Sequence, residues 1–323
     1  MTDLRLSFAC GLYDRMVPLY TGEVRPEGIE LTFFADSGPH IDLYKKMFAG
    51  EFDASEMSSS EYLRRTSAGD RTFIAIPAFP SRVFRHGMIC INRNAGIDSP
   101  KDLEGKRVGV PAFGMTAALW IRGLLQREYD VDLRSIQWVE DLDFGVGAGS
   151  QSERLAKTFR IERNSSGKPL ETLLDEGVID AFIGADIPEA LRTSPNARRL
   201  FPNYKELEQD FYRRTKIFPI MHTVVIRREI YNTHPFVAKA LFDALSRSKE
   251  IARERMRYMG TLRAMLPWMI AEIEENDALF GGDPFAYGLE PNRHVLETAL
   301  GYLEDQAMLD SPVNLDTAFA EVR

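Results

Sequence analysis

Cysteine is almost missing from this chain. Cys10 and Cys90 are the two thiols among 323 residues, and each sits in an apolar stretch. That argues against a disulfide framework or a thiolate metal centre, and reads both as small core residues, Cys10 lying also at the mouth of the first loop. Histidine is sparse too, with five residues and no HxH, HxxxH or HExxH spacing, so no compact metal-ligand set is expected. No P-loop or Gly-rich dinucleotide fingerprint occurs, so no phosphate-bearing cofactor is expected either. The longest apolar runs fall far short of the roughly 20 residues that a membrane span needs. The first residues lack an apolar signal region, and cytoplasmic residence is the expectation. An excess of base is absent as well: 40 Lys and Arg against 48 Asp and Glu give a net charge of -8, without a basic stripe. Nucleic acid is therefore not an expected partner.

Against this acidic background one run stands out, Phe79-Pro-Ser-Arg-Val-Phe-Arg-His86. Cations set between hydrophobic residues read as a pocket for a small anion, with Arg82 and Arg85 as guanidinium clamps for a planar carboxylate. In a continuous strand, alternation would put Arg82 and His86 on one face and Arg85 on the other, unless Pro77 and Pro80 bend the chain. A structural ion pair is the competing reading for either arginine.

The length suits two domains of ordinary globular composition, 44% hydrophobic and 27% charged. Strand patterns at Leu4 to Ala9, Gly28 to Phe34 and Thr72 to Ile76 alternate with helical spacing at Ile41, Tyr44, Met47 and Phe48 and around Tyr62 and Leu63, which predicts an α/β layer structure. Texture changes at Ser99-Pro-Lys-Asp-Leu-Glu-Gly-Lys-Arg-Val-Gly-Val-Pro111, so a second domain is expected to begin near residue 93. Thr116 is placed as the N-cap of a helix through Leu125, where backbone N–H groups can hold a carboxylate. Residues 141–168 show no periodicity and read as a surface excursion or lid. A strand from Gly177 to Gly184 delivers Asp186 to a loop. Gly50-Glu-Phe-Asp-Ala54 and Gly177-Val-Ile-Asp-Ala181 share one order, which suggests two similar lobes. From Pro235 the pattern is mostly helical.

The 99–111 phrase resembles the start of the second lobe in type II periplasmic-binding-protein folds. With Arg5–Arg15, Val24–Ile29, Phe52–Met57, Ile76–His86, Met115–Gly123 and Phe218–Arg227, nearly the whole chain is similar to the 4,5-dihydroxyphthalate decarboxylase family. The resemblance implies an α/β, two-lobed fold with a helical C-terminal extension. Lobe 1 would comprise 1–92 and 191–323, lobe 2 would be inserted at 93–190, and ligand would bind in the cleft. It also implies non-oxidative loss of one ring carboxylate from a small aromatic acid, giving 3,4-dihydroxybenzoate if the substrate is 4,5-dihydroxyphthalate; the missing metal and phosphate motifs make a reaction without cofactor or metal the expectation.

Such chemistry needs a proton donor at the carbon that loses carboxylate, a partner for the ring hydroxyl, and cations or N–H groups for the retained carboxylate. His86 beside the arginines is the expected ring acid and His222 the partner of the hydroxyl, or the reverse. Arg82, Arg85 and Thr116 are expected at the carboxylates. Tyr13, Arg15, Glu56, Ser58 and Asp186 occupy strand-end loops, where open α/β sheets present ligands. A non-catalytic binding protein or sensor for an organic anion is the alternative. The helical tail suits either a homodimer contact or the completion of a monomer core.

Overall fold

The computed structural model describes residues 3–36, 38, 40–141, 150–258, 260–262 and 264–322. Its strands are β1 (Leu4–Gly11), β2 (Ile29–Asp36), β3 (Ala54–Ser58), β4 (Phe73–Arg82), β5 (Ile89–Asn92), β6 (Arg107–Val110), β7 (Gln137–Glu140), β8 (Arg160–Arg163), β9 (Ala181–Ile183), β10 (Ala197–Arg199) and β11 (Ile220–Arg227). They form two sheets, ordered β2-β1-β3-β11-β4 and β10-β5-β9-β6-β7-β8.

The chain divides into two compact units, one of Met1–Arg82, Ile220–His294 and Val313–Arg323, the other of Val83–Pro219 and Val295–Pro312. The sequence boundaries near 93 and 190 therefore differ from the structural ones. β5 pairs with β9 and β10, so the chain has already changed sheets before Ile89. The helical tail also divides: Gly123 of the helix Thr116–Tyr129 lies against Tyr302 so closely that a Cβ there would overlap the ring.

In the first unit β1 runs parallel to β2 and β3, while β11 runs antiparallel to both β3 and β4. Burial of Leu6, Phe8 and Cys10 on β1, Met57 on β3 and Val224 to Ile226 on β11 makes the core of this sheet. β4 continues past Ile76, where the sequence pattern had ended it, through two prolines. Proline has no N–H to give a ladder, and the pairing with β11 shifts there: Val224 lies opposite Ile76, but His222 lies opposite Ser81. The carbonyls at the prolines find other donors, Gly288 N on Pro77 O at 2.8 Å and Arg15 Nε on Pro80 O at 2.7 Å.

The second unit packs Cys90, Val139, Leu170, Leu173, Leu174, Ile179 and Phe182 beneath its sheet. The two short sequence matches have one structural meaning. Gly50 and Gly177 both adopt positive φ after a helix. Asp53 accepts from Ser7 N and Asp180 from Arg107 N, each at 2.8 Å, so each aspartate, just ahead of its own strand, ties it to the neighbouring parallel strand. Part of the expected 141–168 excursion is regular: a helix at Ser150–Thr158 and β8 parallel to β7. Residues 142–149, in the first third of the expected lid, lie outside the described residues.

Among the described residues, no helix is long and apolar enough to cross a membrane.

Candidate functional site

β3 is the unusual strand. Every residue of Ala-Ser-Glu-Met-Ser is buried, although three are polar. A fully buried carboxylate is costly unless donors surround it, and Glu56 is surrounded. Its Oε2 accepts from Cys10 Sγ at 3.2 Å and Gly11 N at 2.9 Å, both from the end of β1. Its Oε1 accepts from Tyr13 OH at 2.7 Å and faces His222 Nδ1 at 2.5 Å.

His222 reaches Glu56 because β11 pairs with β3 on one side and with the shifted part of β4 on the other, placing Ser58 and Ser81 opposite it. The ring of Tyr44 stands edge-on to the imidazole, with centroids 5.8 Å apart. The imidazole side chain keeps 18% of its exposure while Glu56 keeps none. Arg15 braces the group from the other end. Its guanidinium donates to Pro80 O, pairs with Asp14 at 3.0 Å, and stacks over the rings of Tyr13 at 4.2 Å and Phe285 at 4.7 Å.

Burial, reinforced by the charge of Glu56, pushes the Cys10 thiol and the Tyr13 and Tyr44 phenols well above their ordinary ranges. All three are therefore neutral near pH 7. Against an ionised carboxylate, which can only accept, the fitting tautomer has its hydrogen on Nδ1, with Nε2 on the far side of the ring. Such a group can carry a proton to or from a bound molecule.

The second unit holds a different cluster. β4 ends at Arg82 and a 3-10 turn at His86–Met88 follows, so the strand parity expected across the run does not apply. His86 is buried, edge-on to Phe201 and Phe211, and its Nδ1 is 3.8 Å from Glu208 Oε1. Burial pushes its pKa down to about 4, with Arg214 acting in the same direction. Burial likewise raises Glu208 to about 7. Arg85, buried and lowered to about 10 by that burial, donates to Ala185 O at 2.8 Å, next to the exposed Asp186.

Arg82 belongs to the first unit and is buried against Ala286 O at 3.0 Å and Asn292 Oδ1, partners that give the expected clamp a structural role. Thr116 is not the N-cap: Met115 takes that position and Thr116 is the first helical residue, buried in the second unit. Ser58 does cap, accepting from Glu61 N of the helix Ser59–Ser67.

Of the ten residues picked from the sequence, the structure thus gathers Tyr13, Arg15, Glu56 and His222, with Ser58 in register beside them. It adds Cys10, read from the sequence as a small core residue at the mouth of the first loop, and Tyr44, read as one position of a helical repeat. The sequence signal for Cys10 was a thiol at the mouth of a loop that carries Tyr13 and Arg15, whereas Tyr44, in the middle of the helix His40–Phe48, gave none. Among the described residues no group of three or more His, Cys, Asp or Glu side chains is arranged to hold a metal ion.

A scan against models of protein families finds no match. A 4,5-dihydroxyphthalate decarboxylase of Comamonas testosteroni is 34% identical over 302 residues, which cover 93% of this chain and 91% of that protein. The chain belongs to the 4,5-dihydroxyphthalate decarboxylase family. A second protein of that name, from Pseudomonas putida, is 33% identical over 221 residues, 66% of this chain and 83% of its own length. Among solved structures, the periplasmic aliphatic sulphonate-binding protein SsuA of Escherichia coli aligns with a TM-score of 0.57 at 12% identity, covering 98% of this chain and 97% of that one. The desulfurization enzyme DSZB aligns with a TM-score of 0.52 at 16% identity, covering 98% and 96%. These likenesses carry the fold. This family member has the α/β, two-lobed periplasmic-binding-protein-like fold, with further helices at Met269–Phe280, Arg293–Asp305 and Leu315–Ala318.

Proposed function

We propose that this chain is a carboxy-lyase that removes one carboxylate, without oxidation, from a hydroxylated aromatic dicarboxylate. The substrate we favour is 4,5-dihydroxyphthalate, which on losing CO2 becomes 3,4-dihydroxybenzoate. The observation that carries this reading is 34% identity across 302 residues with a protein named for that reaction.

Direct loss of CO2 from an arene would leave an electron pair in the ring plane, unstabilised by the π system. A hydroxyl para to the leaving carboxylate offers another order of events. A proton first adds to the carbon bearing the carboxylate, using ring π electrons, while the para oxygen gives up its proton and becomes a carbonyl. The carbon–carboxylate bond then breaks, its electrons restore the aromatic ring, the oxygen regains its proton, and CO2 departs. One proton is consumed for each CO2 released. We assign the proton delivery to His222, which combines partial exposure with a fixed Nδ1 partner. His86, buried and neutral at pH 7, is poorly suited to that role despite its place beside the arginines.

Incubation with 4,5-dihydroxyphthalate should release CO2 and 3,4-dihydroxybenzoate in equal amounts, followed by headspace analysis and chromatography. Binding without CO2 release would favour an anion sensor and sink the decarboxylase reading. Turnover abolished reversibly by a chelator would overturn the cofactor-free reading. In His222→Gln, kcat should fall about 10²–10⁴-fold, the usual span of a lost acid or base, with substrate affinity changing far less. An unchanged kcat removes His222 from the chemistry.

A further inference from the structure

We infer that Glu56, picked from the sequence as a substrate-binding residue, is a positioning residue that sets the tautomer and proton affinity of His222. The inference rests on the decarboxylase reading, because it assigns the proton of the reaction to His222.

The geometry leaves little for Glu56 to offer a substrate. A carboxylate has about four acceptor sites, and the two oxygens of Glu56 already meet Cys10 Sγ, Gly11 N, Tyr13 OH and His222 Nδ1. The side chain has no exposure, whereas His222 has some. The donors also fix the carboxylate in both of its directions: β1 supplies two on Oε2, and the segment after β1 supplies Tyr13 on Oε1. A carboxylate so held, and unable to donate, dictates that Nδ1 keeps its hydrogen. The reacting proton then belongs to Nε2. This is the logic by which a buried acid orients an imidazole without itself being protonated.

Among the described residues, the titratable and charged groups around this pair include Cys10 of β1, Tyr13 and Arg15 after β1, Tyr44 of the helix His40–Phe48, Asp36 at the end of β2, which acts on Tyr44, and Tyr287, which interacts with Cys10 and Arg15. β4 contributes Ser81 opposite His222, which does not titrate.

The test uses two variants and two readouts. Glu56→Gln keeps the size of the side chain and removes its charge; kcat should fall by up to about 10⁴-fold, the cost when a buried acid that orients a catalytic imidazole becomes its amide, with KM within about threefold. Nitrogen NMR of His222 in the free protein should show hydrogen on Nδ1 in the wild type, and a proton affinity about tenfold or more lower in Glu56→Gln. The alkaline limb of the kcat profile, where the protonated imidazole is lost, should move to lower pH by the same factor. Tyr13→Phe strips one donor from Oε1, leaves the carboxylate more charge for the imidazole, and should shift both readouts the other way by about two- to fivefold. General damage to the fold would not produce shifts of opposite sign.

The inference is overturned if both variants leave the His222 titration within twofold of wild type. If Glu56→Gln does not fold, the Tyr13→Phe shift decides alone. Wild-type protein that releases no CO2 from 4,5-dihydroxyphthalate would end the decarboxylase reading, while the NMR titration, which needs no substrate, would still decide what Glu56 does to His222.

Discussion

His86 illustrates how burial overrides a residue's solution chemistry. Its charge-free state is favoured by the aromatic rings around it, and Glu208 beside it is favoured in the protonated form for the same reason. The two effects act on stability with opposite signs. Histidine lowered from 6.5 to about 4 makes the unfolded chain bind more protons between those values, so stability is lost as pH falls through that window. Glutamate raised from 4.5 to about 7 makes the native state bind more, so stability is lost as pH rises through its window. Over the overlap the pair folds as two neutral groups and the slopes largely cancel. Glu208→Gln should therefore uncover a stability that climbs with pH between 4 and 6.5 by up to about 3 kcal/mol. His86→Gln should uncover the opposite trend between 4.5 and 7. Urea denaturation across this range checks both, and parallel pH profiles for the two variants would contradict the pairing. None of this was legible in the sequence, where His86 was judged by its charged neighbours. The aromatic side chains that enclose it come from positions 201 and 211, more than a hundred residues away. His222, an imidazole in an apolar strand, could be picked from the sequence, but the carboxylate beneath it is 166 residues distant and was read as a ligand contact.

At the level of elements, periodicity located most strands and helices, because each buries one face or both. It failed where an element's end depends on a distant partner. The apolar pattern marks a strand only from Thr72 to Ile76, yet β11 and the residues that take up the proline carbonyls carry β4 to Arg82. Thr116 has the right chemistry for a cap, but the chain enters the helix one residue earlier, at Met115. The helix Thr116–Tyr129 depends on a missing side chain: Gly123 admits the ring of Tyr302 from the helix Arg293–Asp305. Gly123→Ala should lower stability by about 1–3 kcal/mol through overpacking, although alanine favours helix more than glycine does. Thermal unfolding that showed a gain in stability would mean that the two helices do not pack this closely.

For the whole molecule, the 99–111 phrase and the motifs spread along nearly the whole chain were sufficient for the fold class and the family, and the two short glycine–aspartate matches mark turns and strand ties that recur in both units. They were insufficient for the division of the chain, since residues 295–312 and 313–323 return to different units. The last of these segments closes an open edge. Phe319 forms a parallel bridge with Ala75 of β4, Ala320 N donates to Ala75 O at 2.7 Å, and the Phe319 ring meets Tyr62 and Phe79. Phe319→Ala should cost about 3–5 kcal/mol and leave an unpaired strand edge prone to association. Calorimetry and light scattering would measure both, and a variant as stable and monodisperse as its parent would rule this out. A last consequence concerns Pro77 and Pro80. They have no hydrogen to give β11, and the carbonyl stranded at Pro80 is the one that recruits Arg15 against Tyr13. The register that sets Ser81 opposite His222 thus opens where two ladder donors are missing, and the carbonyl they leave is what holds Arg15 beside the phenol that meets Glu56.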